Sequence, residues 1–352
     1  MNLSITHTKP FDPSLSDPYP SGQGVVYKKL SGIYTVHSGG RTITCTLSSR
    51  LRKQPGASTG AKSQRRARRD GKVADHGDLV AVGDRVHFVE AQDGSGTIVE
   101  VMPRRNHLAR RSAVPMPSAR PFEQVIVANV DQVVPVFSAA NPAPKWNMLD
   151  RYLVSAESAG LPALICITKL DLVQPGASPS EDDLWEAVEE YRKIGYPVVL
   201  ASVVTGEGLD DLMQALQGRI SVFLGKSGVG KTSLLNAIQP GLGLRVNAVS
   251  QVTGKGKHTT THLEMFPLEF EHAGPEAAIV DTPGVREFGL WDVDEDDLAL
   301  FFPEMRPFVG QCRFGLDCQH DEEPGCTVRK AVTAGHISPR RYRSYLRLKV
   351  DA

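Results

Sequence analysis

The sequence predicts a multidomain α/β chain: a small N-terminal β-barrel, a central, mostly parallel sheet with helices on both faces, and a short metal-stapled C-terminal unit. Three observations predict it. Residues 23 to 112 read as short strands broken by turn residues, residues from about 123 alternate apolar strand with amphipathic helix, and three of the five cysteines fall between 312 and 326. A chain of 352 residues also exceeds one ordinary core, which argues for two or three domains. No internal repeat is visible.

The chain opens on "MNLSITHTKPFDPSLSDPYPSG", which has no basic n-region and no apolar h-region and reads as a polar, Pro-rich, disordered tail over 1–21. With no signal peptide and no apolar run beyond about seven residues, as in "LPALICI", a cytoplasmic protein with no membrane partner is expected. Cysteines in a reducing compartment favour a metal over disulfides.

Barrel strands are expected at "GVVYKKL", "GIYTVHS", "RTITCTL", "VGDRVHFVE" and "GTIVEVM", with turns such as "QDGSG" between them. By spacing alone the barrel is OB-like or SH3-like. Between the third and fourth strands, residues 50–72 carry nine basic side chains (Arg50, Arg52, Lys53, Lys62, Arg65, Arg66, Arg68, Arg69, Lys72) against one acid, Asp70. Such a stretch cannot pack and must loop out. Forty basic and forty acidic residues cancel, so bulk charge predicts no nucleic-acid partner. Distribution says more: with a second basic set at Arg329, Lys330, Arg340, Arg341, Arg343, Arg347 and Lys349, the insertion points to a polyanion rich in phosphates.

In the central part, strands "QVIVANV" and "QVVPVFS" lead to a helix at "NMLDRYLVSAESAG". Strand "PALICIT", helix "EDDLWEAVEEYRKIG", strand "PVVLASV", helix "GLDDLMQALQG", strand "ISVFLG" and a helix from Lys231 follow. This alternation is that of a parallel sheet covered on both faces.

The strongest motif is "GKSGVGKTS", comprising Gly225, Lys226, Ser227, Gly228, Val229, Gly230, Lys231, Thr232 and Ser233. Its glycines let the backbone turn N–H groups toward one point, and the helix that follows adds its N-terminus, so the loop cradles phosphates. Lys231 would reach the β- and γ-phosphates, and the Thr232 hydroxyl would ligate Mg²⁺. In "AAIVDTPG", Asp281 ends an apolar strand, suited to hold Mg²⁺ through water, and the Gly284 amide would contact the γ-phosphate. Base choice falls to "TKLD": Asp171 accepts both N–H groups of the guanine edge, Lys169 lays its stem along the base, and Thr168 stands where G domains usually carry Asn. "ASVVTGEG" resembles the loop that caps the guanine, through Ser202 and Gly206, with Val203 where Ala is more usual.

These elements run in the order base recognition, cap, phosphate loop, switch, metal Asp. Circular permutation explains it, because strands packed side by side need not be covalently consecutive. The second switch, "DTPGVREFGL", then leads straight into the C-terminal unit. In "TGKGKHTTTH", Thr259 or Thr260 would add a hydroxyl ligand to Mg²⁺. Val285 occupies the place where many G domains have a water-orienting Gln, so intrinsic turnover should be slow. His258 is the candidate water-positioning residue, with a simple contact role as the alternative.

Cys312, Cys318, His320 and Cys326 follow the pattern C-x₅-C-x-H-x₅-C. Three thiolates and an imidazole complete a tetrahedral Zn²⁺ shell with no open position, hence a structural site.

The permuted order, "ANVDQVV", "LDRYLV", "GKHTTTH", "DTPGVREFGLW" and the Cys/His cluster together resemble the RsgA (YjeQ) family of circularly permuted GTPases, from about Gly22 to the C-terminus. The resemblance implies an OB-type barrel over 22–118 with the basic insertion, a circularly permuted P-loop GTPase domain over 119–298 and a zinc-binding domain over 299–352. It implies an enzyme that hydrolyses GTP to GDP and phosphate, binds the 30S ribosomal subunit and its 16S rRNA, is stimulated by that particle, and acts in late small-subunit maturation. A monomer without a DNA partner is expected. The family spaces its first two cysteines one residue closer, so the extra residue here should bulge the knuckle. Two other functions compete: an RNA-binding adaptor that merely holds GTP, disfavoured by intact Lys231, Thr232 and Asp281, and a metabolic P-loop kinase, disfavoured by Asp171 in its T-K-x-D setting.

Overall fold

The run "RTITCTL" alternates, burying Ile43, Cys45 and Leu47 while Thr42, Thr44 and Thr46 face water. That period of two makes it β3 (Arg41–Leu47) of a barrel whose other strands are β1 (Ser21–Leu30), β2 (Ile33–Ser38), β4 (Arg85–Glu90) and β5 (Gly96–Val101). The computed structural model describes residues 21–53, 79–111, 123–174, 179–242, 263–274, 276–281, 293 and 295–351. Outside them lie the expected tail up to residue 20, most of the basic insertion, His258, Thr259, Thr260, Gly284 and Val285, while Ser21, assigned to the tail, begins the first strand.

The barrel order is β1-β2-β3-β5-β4, closed by β1 pairing back onto β4. β3 and β5 run parallel, the remaining neighbours antiparallel. This is the OB-like choice between the two barrels the spacing allowed. Val26, Tyr34, Val36, Phe88 and Ile98 fill the interior. A Cβ on Gly96 would lie 2.4 Å from Cys45 Sγ, so the β3–β5 approach requires glycine there. The short helix α1 (Ser49–Arg52), capped by Ser48, leads into the insertion.

The strand expected at "QVIVANV" forms but does not join the parallel sheet. As β7 (Glu123–Ala128) it pairs antiparallel with β6 (His107–Arg111). Its end is held back toward the barrel, where the Asn129 side-chain amide donates to the Gly83 carbonyl at 2.9 Å.

The central sheet has the order β10-β9-β8-β11-β13-β12. Its strands are β8 (Gln132–Ser138), β9 (Ile165–Thr168), β10 (Val198–Leu200), β11 (Ile220–Leu224), β12 (Glu264–Pro267) and β13 (Ala278–Asp281). All pairings are parallel except β12 with β13. Alternate residues feed opposite faces. Val133, Ile165, Ile167, Val222 and Val280 meet α2 (Trp146–Ser158) and α3 (Pro179–Ile194). Val134, Val136, Cys166, Phe223 and Ile279 meet α4 (Leu209–Leu216) and α5 (Lys231–Ile238). Barrel and sheet join where Lys28 on β1 pairs with Glu264 on β12, their side chains 2.7 Å apart.

The C-terminal unit carries α6 (Thr327–Thr333) and α7 (Pro339–Asp351), and its core takes in Val154 from α2. Two members of the expected basic set are engaged in ion pairs, one of them wholly and the other partly buried. Arg341 is fully buried and pairs with Asp150 and Glu304; Arg340 is committed to Glu190 and Tyr191. Burial alone would lower the Arg341 pKa, but the two carboxylates hold it well above its ordinary value. Among the described residues, no helix is long and apolar enough to cross a membrane.

Candidate nucleotide site and metal centre

β11 is buried along its whole length, so the chain leaves the sheet edge abruptly after Leu224. Gly225 follows with no room for a side chain: a Cβ would lie 2.4 Å from the Val136 carbonyl oxygen at the end of β8. Gly228 and Gly230 take positive φ, 87° and 96°, which turns the loop onto the start of α5 without a side-chain cap. The first-turn amides of α5 therefore face outward for a phosphate. Lys231 Nζ crosses this loop, donating to the Gly225 carbonyl at 2.5 Å and the Lys226 carbonyl at 3.3 Å. Burial lowers its pKa, and Asp281 opposes that shift. Lys226 and Ser227 are exposed on the loop, Thr232 and Ser233 half-buried in the first turn, and the Val229 side chain belongs to the core. Asp281 ends β13 beside Phe223 in parallel register, next to the loop.

The base-side motif sits one strand beyond β8, since β8 lies between β9 and β11. Thr168 is buried at the end of β9, and its hydroxyl is directed at the Phe137 carbonyl at 3.2 Å and at the Val229 carbonyl of the phosphate loop. Lys169 adopts the left-handed conformation, φ 58°, and its ammonium donates to the carbonyls of Gly228, at 2.8 Å, and Asn141. Asp171 is exposed, with Oδ1 accepting from Ser202 Oγ at 2.6 Å. The buried Ser202 also organises its own loop: its hydroxyl accepts from the Val204 and Thr205 amides at 3.2 Å, and its carbonyl from the Gly206 amide at 2.9 Å.

The fold thus gathers Thr168, Lys169, Asp171, Ser202, the 225–233 loop and Asp281 at one edge of the parallel sheet, outside the carboxyl ends of the strands. Sequence reasoning missed how they are braced. The carbonyls of Phe137 and Asn141 hold Thr168 and Lys169, and a backbone oxygen leaves no mark in side-chain identity.

The Cys312, Cys318, His320 and Cys326 ligand atoms are all buried and within 4.8 Å of one another. Cys312 Sγ lies 3.8 Å from Cys326 Sγ, too far for a disulfide. His320 Nδ1 lies 3.4 and 3.5 Å from the same two sulfurs. A tetrahedral Zn²⁺ with bonds of about 2.3 Å to sulfur and 2.0 Å to nitrogen has edges of about 3.8 and 3.5 Å, so the donor set fits. The Thr327 and Arg329 amides donate to Cys312 and Cys326 Sγ at 3.3 and 3.5 Å, which favours thiolates at the start of α6. The two other cysteines are core groups; burial pushes Cys166 up to about 12 and, with Glu90, Cys45 up to about 11.

A family model described as RsgA GTPase matches residues 101–291. The chain belongs to the RsgA GTPase family.

Relatives named "Small ribosomal subunit biogenesis GTPase RsgA" agree with it. That of Gemmatimonas aurantiaca is 47% identical over 277 residues, 78% of this chain and 85% of the relative. That of Pseudomonas aeruginosa is 43% identical over 266 residues, 76% and 74% of the two chains. Among solved structures, YjeQ from Thermotoga maritima has a TM-score of 0.68 at 31% identity, covering 94% of this chain and 98% of that one. YloQ, described as a circularly permuted GTPase, has a TM-score of 0.65 at 30% identity and 94% coverage of both chains. The permutation read from motif order is therefore a property of this RsgA-family chain. GTP hydrolysis, with Mg²⁺ accompanying GTP, goes with the family. At the phosphate loop the chain offers a hydroxyl, Thr232, and a carboxylate, Asp281, the hard oxygen donors that Mg²⁺ takes.

Proposed function

We propose that this chain hydrolyses GTP on the 30S ribosomal subunit, in contact with its 16S rRNA, during late small-subunit maturation. The observation that carries the GTP reading is the meeting of Thr168–Asp171 and Ser202 with the 225–233 loop at one sheet edge. The subunit as partner rests on the relatives' names and fits a cytoplasmic location. Asp171 reads the guanine edge, oriented by Ser202, and Gly206 shapes the cap. Lys231 and the loop amides neutralise the phosphates, and Thr232 and Asp281 hold Mg²⁺, which supplies charge stabilisation when bound. Gly284 meets the γ-phosphate, Thr259 or Thr260 closes the metal shell, and His258 positions water in place of the glutamine that Val285 replaces. The Cys/His cluster holds one structural Zn²⁺, and the barrel, GTPase and zinc units are bounded at 22–118, 119–298 and 299–352.

The test is GTP turnover by the purified chain alone, with 30S subunits and with 50S subunits. Stimulation of about 10²-fold or more by 30S alone is expected, within the range an activator in trans supplies. Equal stimulation by both particles, or by neither, rejects the 30S partner. His258→Ala in the same assay should abolish most of the stimulation; full stimulation rejects its role in water positioning.

A further inference from the structure

We propose that Arg340, in the C-terminal unit, is a positioning residue for the guanine nucleotide, acting through Trp146 and the loop that grips Lys169. Helix α2 begins at Trp146 without the usual local support. Lys145 makes no side-chain cap and the first turn carries no acid, so the helix start depends on tertiary contacts. Arg340 supplies one. Its guanidinium carbon lies 5.6 Å from the centre of the Trp146 ring and 4.8 Å from that of Tyr191. The guanidinium is oriented by hydrogen bonds to Glu190 at 2.9 Å and to the Tyr191 hydroxyl at 3.0 Å, both on α3.

The segment between β8 and Trp146 reaches the base-side motif. The Ala139 amide donates to the Thr168 carbonyl at 2.8 Å, and Ser138 Oγ donates to the Pro142 carbonyl at 2.7 Å. Asn141, in the left-handed region, then presents its carbonyl to Lys169 Nζ, which also binds Gly228 of the phosphate loop. Any drift of Trp146 moves the anchor of Lys169. At the other end of α2, Glu157 pairs with Arg306, also from the C-terminal unit, but among the described residues no hydrogen bond or ion pair connects that end to Lys169. Asp150, between these two ends, is tethered to the same unit by Arg341 and Arg340, and only the contact at Trp146 sits at the end of the helix that continues to the nucleotide.

The proposal rests on the assignment of Lys169 and Asp171 to the base. The experiment uses the full metal-loaded chain and measures the GDP Kd, with KM and kcat for GTP, in Arg340→Met, Arg340→Lys, Trp146→Leu and Arg306→Gln. Arg340→Met and Trp146→Leu should each raise KM and the GDP Kd about 3- to 10-fold, with kcat within about twofold. Arg340→Lys should recover part of the loss, and Arg306→Gln should behave as wild type. Wild-type values in Arg340→Met or Trp146→Leu overturn the proposal, as does an equal rise in Arg306→Gln, which would mark general loosening between units. Asp171→Asn reports separately on the base site: unchanged GTP affinity there removes the underlying assignment, whatever Arg340 does.

Discussion

The Thr168 hydroxyl is directed at the Val229 carbonyl, tying the base-side motif directly to the phosphate loop. Both groups are buried, so neither finds water if the other is lost. The residue that departs from the usual Asn is therefore a brace between the two halves of the site. Thr168→Val keeps the shape and deletes the donor. GDP binding should weaken by roughly 5- to 30-fold, the cost of an orphaned buried carbonyl being about 1–2 kcal/mol. Titration with a fluorescent GDP measures it, and an unchanged Kd denies the brace.

The proposed guanine preference rests on Asp171, whose Oδ1 accepts from Ser202 Oγ at 2.6 Å. Asp171→Asn should lose GTP affinity by about 10²-fold or more and gain affinity for the xanthine nucleotide, whose edge offers an acceptor where guanine offers a donor. Competition between the two nucleotides decides. Retention of guanine preference would locate recognition elsewhere.

The Arg341–Asp150 pair is buried between α7 and α2. Breaking it from one side strands a charge, so Arg341→Met should lower the opening free energy of α7 by about 3–5 kcal/mol. Asp150→Asn in the same chain should restore part of that. Hydrogen exchange across α7 reads both, and equal protection in the single variant and wild type contradicts the prediction.

Cys312, Cys318 and Cys326 are themselves part of the core of the C-terminal unit, so metal binding should supply much of its folding free energy. A strong chelator is expected to expose residues after about 300 first, leaving the central sheet protected. Hydrogen exchange that shows the C-terminal unit unchanged after the metal has been stripped would make the cluster dispensable for folding.

Much of this was legible beforehand because it is local. The period of two in "RTITCTL" and the strand-helix alternation from 132 onward report which side of each element faces a core. Glycine spacing in 225–230 reports a backbone shape, and the Cys/His spacing reports a ligand set. The pairing of β7 with β6 was not legible, since an apolar strand carries no label for its neighbour. Nor was the brief antiparallel strand β12, four residues long.

By itself the sequence determined most of the elements, the permuted order of the nucleotide motifs and the chemistry each motif offers. Tertiary structure decided which barrel closes, which carbonyls hold Thr168 and Lys169, and that Arg341 is buried and Arg340 half-buried in ion pairs although their run of basic residues reads as surface. The reason is range. Periodicity and motif spacing are properties of a few consecutive residues, whereas the partner that makes a buried arginine tolerable lies 191 positions away, and chain proximity says nothing about it until the fold brings the two together.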